Sequence, residues 1–133
     1  MIDIEKEVFM KVATALREQF PKITVENVTT YSPSKFPFVC IEEADNYTHT
    51  PSQDSGSNEN HAIVMYEVNI YSNKASGKKA ECKAILAVVD EVMIGLGFTR
   101  NTAQPFDSDN ATKHRIFARY SAVVSKNHVI YRR

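Results

Sequence analysis

The stretch His61–Ser72, HAIVMYEVNIYS, constrains the fold more than any other part of the chain. Its side chains alternate in character. The even-numbered positions are apolar except for a tyrosine hydroxyl, and the odd-numbered positions become polar in the second half of the stretch. The apolar parity consists of Ala62, Val64, Tyr66, Val68 and Ile70. Because successive side chains of a strand point to opposite faces, this pattern predicts a central, half-buried β-strand.

Two other stretches have apolar residues at helical spacing, and they predict helices over 3–20 and 78–95. We expect Asp3 to cap the start of the first helix, since a short carboxylate can accept a hydrogen bond from a free backbone N–H. We expect Gly95 and Gly97 to end the second helix, because glycine readily adopts the left-handed conformation that follows a helix.

Further strands are predicted where short alternating or apolar runs are bounded by turn residues. These runs cover 23–28, 38–43, 98–106 and 112–124, with a short strand or tail at 128–131. Most links between them are short, which favours hairpins and an antiparallel sheet. The chain of 133 residues is therefore predicted to be a single α+β domain. We expect a two-layer sandwich with two helices on one face of the sheet.

The segment 45–60, DNYTHTPSQDSGSNEN, precedes the central strand and contains no aliphatic residue. Such a composition cannot bury enough surface to order itself. A long polar loop in a small domain is usually functional or mobile. Two interpretations stay open: a mobile hairpin tip, or an arm that becomes ordered on a partner.

Charge is unevenly distributed, although the formal net charge is zero. The region 36–73 carries acids without Lys or Arg, and the region 110–133 carries bases without Asp or Glu. We expect the two regions to meet, either as neighbouring strands of one fold or between subunits, where charge complementarity would set orientation.

The sequence contains no recognisable catalytic or phosphate-binding motif, and we predict neither an enzyme nor a cofactor. His49 and His61 bracket the polar loop close to acidic residues, but without the ligand spacing of a metal site. Cys40 and Cys82 are expected to be buried, reduced thiols. Four C-terminal residues could support contact with single-stranded nucleic acid, but the neutral chain does not favour it: Arg115, Phe117, Arg119 and Tyr131. No apolar stretch is long enough to span a bilayer, and the charged N-terminus is unlike a signal peptide, so we expect a cytosolic product.

Several segments together resemble the tail-terminator, or tail-completion, proteins of bacteriophages and prophages, which are also described as minor capsid or neck proteins. These segments are MIDIEKEVF, ATALREQFP, SGSNENHA, MYEVNIYSNK, SGKKAECKAILAVVDEVM, LGFTR, RIFARYSAVV and IYRR. The resemblance covers nearly the whole chain and keeps the order of its elements. Its motifs concern packing and interfaces rather than catalysis.

The resemblance implies a structural virion protein that forms a ring, commonly a hexamer, at the head-proximal end of a long phage tail. Such a ring ends the tail tube and joins it to the neck. The implied partners are other copies of the chain, the tail-tube protein and a neck or head-completion protein. DNA would only pass through the lumen, and no membrane is involved. The expected location is the virion, and the host cytoplasm before assembly. The alternatives are another head–tail neck component, or a stand-alone domain that binds a small ligand.

We expect the residues that contact a neighbouring subunit or the tail tube to lie in the polar loop and in the oppositely charged strands. The residues proposed for this role are Tyr47, His49, Gln53, Asp54, Asn58, Glu59, Glu42, Glu43, Glu67, Arg115, Arg119, Arg132 and Arg133. Within this set, Arg115 and Arg119 are expected to pair with Glu42, Glu43 or Glu67, within or between subunits.

Overall fold

The structure is a computed structural model that describes residues 1–28, 30, 33–49, 60–106 and 112–132, without the side chain of Arg132. The chain alternates between two helices and several strands. In order, the elements are α1 (Glu5–Gln19), β1 (Thr24–Glu26), β2 (Phe38–Thr48), β3 (His61–Ser72), α2 (Lys78–Leu96), β4 (Thr99–Phe106), β5 (His114–Ser125) and β6 (Ile130–Arg132).

The strands form one sheet in the order β1-β2-β3-β5-β4, and β6 pairs with β5 beyond the end of β4. The predicted central strand, β3, lies in the middle and is antiparallel to β5 over its whole length and to β2 from Ala62 to Tyr71. Only the pairing of β1 with β2 is parallel among the described strands. The predicted mainly antiparallel sheet is confirmed.

Both helices pack on one face of this sheet, and the main hydrophobic core lies between the two layers. The apolar parity of β3 is completely buried in that core, as its alternation predicted. Each helix contributes one apolar stripe: Val8, Val12, Ala13 and Leu16 from α1, and Cys82, Ile85, Val88, Val89 and Met93 from α2. The predicted two-layer α+β sandwich is confirmed.

The two helices begin at opposite ends of the sheet. Beside the start of α1, the Asn46 side-chain amide donates to the carbonyl oxygen of Ile2 over 2.7 Å, and Asn46 pairs with Val64 of β3. Beside the start of α2, the Ser72 hydroxyl donates to the Glu81 carboxylate over 2.6 Å, and Ser72 is the last residue of β3. The helices therefore run antiparallel across the sheet.

The observed helix ends differ from the predicted ones by one or two residues. Helix α1 begins at Glu5 with Ile4 at its N-cap position, so Asp3 lies one residue before that position. The predicted hydrogen bond is formed, since the Asp3 carboxylate accepts from the Glu5 N–H at 3.0 Å. Gly95 lies inside α2, and Gly97 alone ends that helix. Gly97 has φ +112°, a left-handed conformation that glycine adopts without steric cost.

Strand β2 is longer than predicted. It continues through Thr48, so the predicted polar loop 45–60 does not begin at its first residue. The polar residues 45–48 are held in the sheet because their backbone groups pair with β3, which compensates for their low strand propensity. A bulge between Glu43 and Asp45 separates the two parts of the strand. The remainder of the predicted arm, at 50–59, lies outside the described residues.

Candidate interaction surface

The face of the sheet turned away from the helices, which we call the outer face, carries charged, aromatic and amide side chains. The bulge in β2 matters here, because it places Glu42 and Asp45 on the same face although three positions separate them. The outer face includes Glu42, Asp45, Tyr47, Met65, Glu67, Asn69, Tyr71, Arg115, Phe117, Arg119 and Val123. Of these, Asn69 and Tyr71 are buried, and Tyr71 packs in a small second hydrophobic cluster with Phe38 and Cys40.

Glu67 and Arg119 are directly opposed on β3 and β5, and Arg119 Nη2 lies 2.8 Å from Glu67 Oε1. On its other side, Glu67 is opposed by Glu42 of β2. The acidic and basic regions were predicted to contact each other, and the Glu67–Arg119 ion pair confirms such a contact within one chain. Both side chains stay partly exposed, so water screens their attraction.

Arg115 has a different environment from the one predicted. Its Nε and Nη2 atoms lie 3.0 and 2.6 Å from the Asn69 side-chain oxygen, to which both donate. Its guanidinium carbon lies 4.2 Å from the centre of the Phe106 ring and 5.3 Å from that of the Tyr71 ring. A neutral amide thus takes the place of the expected acidic partner, because Tyr71 is opposite Arg115 on β3 and Asn69 lies diagonally, two positions away on the same face. The guanidinium is held in place between two rings.

Glu43 was expected to pair with the arginines, and within one chain this is wrong. It is opposed by Tyr66 and so lies on the helix side of the sheet. There its carboxylate accepts a hydrogen bond from the Asn46 side chain at 3.1 Å. Burial raises the pKa of Glu43, and the nearby carboxylates of Asp3 and Glu5 raise it further. Glu43 therefore belongs to an acidic group at the start of α1.

The end of the outer face near the predicted arm is aromatic. The His49 and His61 rings lie 6.3 Å apart, and the His61 and Tyr131 rings lie 5.8 Å apart. These three side chains and Val123 line a shallow depression. Tyr47 and Tyr131 are exposed by 41% and 49%, and such exposed rings at a sheet surface suit contact with another protein.

Five of the residues proposed from sequence cannot be placed. Gln53, Asp54, Asn58, Glu59 and Arg133 lie outside the described residues. Arg132 belongs to β6, where its backbone pairs with Ala122 of β5, but its side chain is not described. Their predicted contacts with partners stay predictions.

Sequence reasoning missed three residues of this surface, namely Asn69, Tyr71 and Phe106, which hold Arg115. Alternation alone placed Asn69 and Tyr71 on the same face of β3. Their partner on β5 depended on the strand register, which no local pattern reveals.

The described residues show little that could support metal or thiol chemistry. They contain no group of three His, Cys, Asp or Glu side chains placed to hold a metal ion. Cys40 and Cys82 are buried free thiols, as predicted. Burial raises the pKa of Cys82 to about 12, with a further contribution from Glu81, so its nucleophilic thiolate form is disfavoured. Neither helix in the described part of the chain is both long and apolar enough to cross a membrane.

Comparison with known proteins identifies the fold. A chain of the "Virion of native gene transfer agent (GTA) particle" aligns with 89% of this chain and 91% of its own length, with a TM-score of 0.59. The sequences are 17% identical, so the likeness concerns the fold. No protein-family model matches the sequence. No curated protein matches it either.

Proposed function

We propose that the protein is a structural component of a phage-like virion and, more specifically, a tail terminator. In this role it forms a ring, commonly of six copies, that ends the tail tube at its head-proximal end and joins it to the neck. The observation that carries the proposal is the fold shared with a chain of a gene transfer agent virion over nearly the full length of both chains. The sequence resemblance to tail terminators supports the same assignment.

The composition of the outer face supports a role in protein contact. Arginine, methionine and aromatic side chains are enriched at protein interfaces, and all of them occur on this face. Arg115 is already fixed by Asn69 and by two rings, so little conformational entropy would be lost when a partner binds it. We assign the outer face to contact with a neighbouring virion protein such as the tail-tube protein.

The proposed protein acts through shape and contact, without catalysis and without a cofactor. Its partners are copies of itself, the tail-tube protein and a neck or head-completion protein. DNA passes through the ring lumen without being read. Its place is the tail or neck of the virion, and the host cytoplasm before assembly.

Mass measurement in solution tests this proposal. The purified protein is measured by light scattering and native mass spectrometry, alone and with tubes of the tail-tube protein from the same virion. We expect ring-sized assemblies that attach to one end of the tubes in electron micrographs. A protein that stays monomeric and unattached under both conditions contradicts the proposal.

A pair of matched variants tests the outer face. Phe106→Ser removes a ring that is 46% exposed at the outer face, whereas Met10→Ser removes a side chain that is 52% exposed on α1. We expect only the first variant to weaken attachment to tubes. Equal attachment by both variants would exclude the outer face as the contact surface.

A further inference from the structure

Carboxylates gather where α1 begins beside the middle of β2. We call this group the acidic end: Asp3, Glu5, Glu7 and Glu43. The Glu5 carboxylate accepts a hydrogen bond from the Glu43 backbone N–H at 2.7 Å. Burial raises the pKa of Glu43, and the nearby carboxylates of Asp3 and Glu5 raise it further. Lys6 also lies in this turn, so acids outnumber bases there. Glu7 has a side chain that is 64% exposed, and its contact is with His128 at 3.3 Å.

Lysines gather where α2 begins. We call this group the lysine end: Lys74, Lys78, Lys79 and Lys83. Burial lowers the pKa of His114, and the last three of these lysines lie near enough to lower it further. Glu81, the acid of the first turn, accepts a hydrogen bond from Ser72 and so faces the sheet.

Lysines are unfavourable at this position. The start of a helix carries a partial positive charge, so cations there lower its stability. The N-cap residue of α2 is Gly77, and no side chain caps the helix. The intrachain contacts therefore do not explain why positive charge collects at this end, whereas an external anionic surface would.

The two ends cannot neutralise each other within one chain. The acidic end lies beside Asn46, which pairs with Val64, and the lysine end lies beside Ser72. Positions 64 and 72 of β3 are separated by roughly 25 Å, at about 3.3 Å per residue. This distance exceeds the screening length of about 8 Å at physiological salt.

We propose that the lysine end of one copy docks on the acidic end of the next copy. Each chain then presents two unlike, complementary surfaces at opposite ends of its helical layer. Such a contact repeats in one direction, and it closes into a ring when the rotation between neighbours allows closure. The inference deepens the proposed ring and rests on it, since it names the surfaces through which neighbouring subunits meet.

Two charge-reversal variants test this contact. The all-positive variant carries Asp3→Lys and Glu7→Lys, and the all-negative variant carries Lys79→Glu and Lys83→Glu. Each variant alone should associate at least about tenfold more weakly than the unaltered chain, because like charges would then meet at the contact. An equimolar mixture should associate again, since each contact between unlike variants joins opposite charges.

The all-negative variant also separates association from folding. Acidic residues at the start of α2 complement the helix dipole, so its thermal unfolding temperature should stay unchanged or rise. Matched controls change the net charge equally at other exposed positions. Glu18→Lys with Glu91→Lys is the positive control, and Lys11→Glu with Lys35→Glu is the negative control. Both controls should associate like the unaltered chain.

The outcomes distinguish this inference from the tail-terminator proposal. The docking of the two ends is overturned if each reversal variant alone associates as well as the unaltered chain does. It is also overturned if the two variants fail to associate when mixed. Both conclusions hold even if rings still cap the tubes. If the mixture associates but the unaltered chain never attaches to tubes, the docking stands and the terminator role fails. High salt, where the screening length falls to about 3 Å, should weaken association of the unaltered chain.

Discussion

Glu67 and Arg119 lie directly opposite each other on β3 and β5, with 2.8 Å between Arg119 Nη2 and Glu67 Oε1. The same Glu67 is opposed on its other side by Glu42 of β2. Glu67 therefore experiences an attraction and a repulsion of similar kind across neighbouring strands. Because the repulsion from Glu42 offsets part of the attraction to Arg119, we expect the ion pair to contribute little to the free energy of unfolding.

Replacing Glu67 by glutamine should change the free energy of unfolding by less than about 0.5 kcal/mol, since the lost ion pair is offset by relief of the repulsion from Glu42. Urea titrations of the unaltered chain, Glu67→Gln, Arg119→Gln and the double variant form a double-mutant cycle, which isolates the coupling energy between the two side chains. We expect a coupling energy below about 1 kcal/mol. A coupling of several kcal/mol would show that water screens this pair much less than its exposure implies.

Arg115→Lys should destabilise the protein by about 1–2 kcal/mol. The single nitrogen of lysine cannot replace the two nitrogens, Nε and Nη2, that both donate to the buried Asn69 oxygen. Lysine also does not stack on Tyr71 and Phe106 as a planar guanidinium does. The control is Arg100→Lys, where the exposed arginine pairs with Asp90 and should lose less than about 0.5 kcal/mol. Equal losses in urea denaturation would mean that the ring contacts contribute nothing measurable.

Glu43→Gln should stabilise the protein at pH 7. Burial raises the pKa of Glu43 in the folded state, so the charged form is disfavoured there relative to the unfolded chain. The folded protein therefore gains stability as the pH falls through this pKa, and loses it as the pH rises. Glutamine keeps an acceptor for Asn46 without the charge.

The expected gain is below about 1 kcal/mol after screening by water, and it should shrink as Glu43 becomes protonated in acid. Denaturant titrations at a series of pH values measure this difference. A gain that is independent of pH would indicate a cause other than the carboxylate charge. Glu18→Gln, on exposed α1 surface, is the control and should have little effect at any pH.

Two glycines near the end of α2 should respond oppositely to alanine. Gly95 lies inside the helix, and beyond its chain neighbours and the adjacent helix backbone an added Cβ would meet no atom within 4 Å, so Gly95→Ala should stabilise by about 0.5–1 kcal/mol. At Gly97, φ is +112° and the Cβ would lie 3.0 Å from Ile130 Cγ2. Gly97→Ala should therefore destabilise by about 1–3 kcal/mol. Thermal unfolding of both variants measures these effects. Unfolding temperatures that shift in the same direction for both variants would contradict the prediction.

Cys40 and Cys82 should react with a thiol reagent only after the protein unfolds. Both thiols are buried, and burial raises the pKa of Cys82 from its ordinary 9.0 to about 12. Because the thiolate is disfavoured in the fold, the contribution of Cys82 to stability should be constant below pH 9 and decline towards pH 12. Reaction rates with and without urea at pH 8 check this. Rapid labelling of the folded chain would contradict it.

Much of the fold could be read from local patterns. The alternation of His61–Ser72 identified both the central strand and its buried face, and helical spacing identified both helices. Boundaries were less predictable, since β2 continues through Thr48 on backbone pairing that its polar side chains do not signal. The candidate site was only partly foreseen. The outward direction of Arg115 followed from its parity, whereas its contact with Asn69 did not.

The sequence by itself determined which face of each element is apolar, because side-chain direction repeats every two residues in a strand and every 3.6 residues in a helix. It also determined that charge is segregated along the chain. Only the tertiary structure decided which charges meet, because strand order and register bring together residues far apart in sequence. The pairing of Glu67 with Arg119 and the position of Glu43 among other acids follow from that register. The separation of the acidic and lysine ends likewise depends on two helices running antiparallel across one sheet.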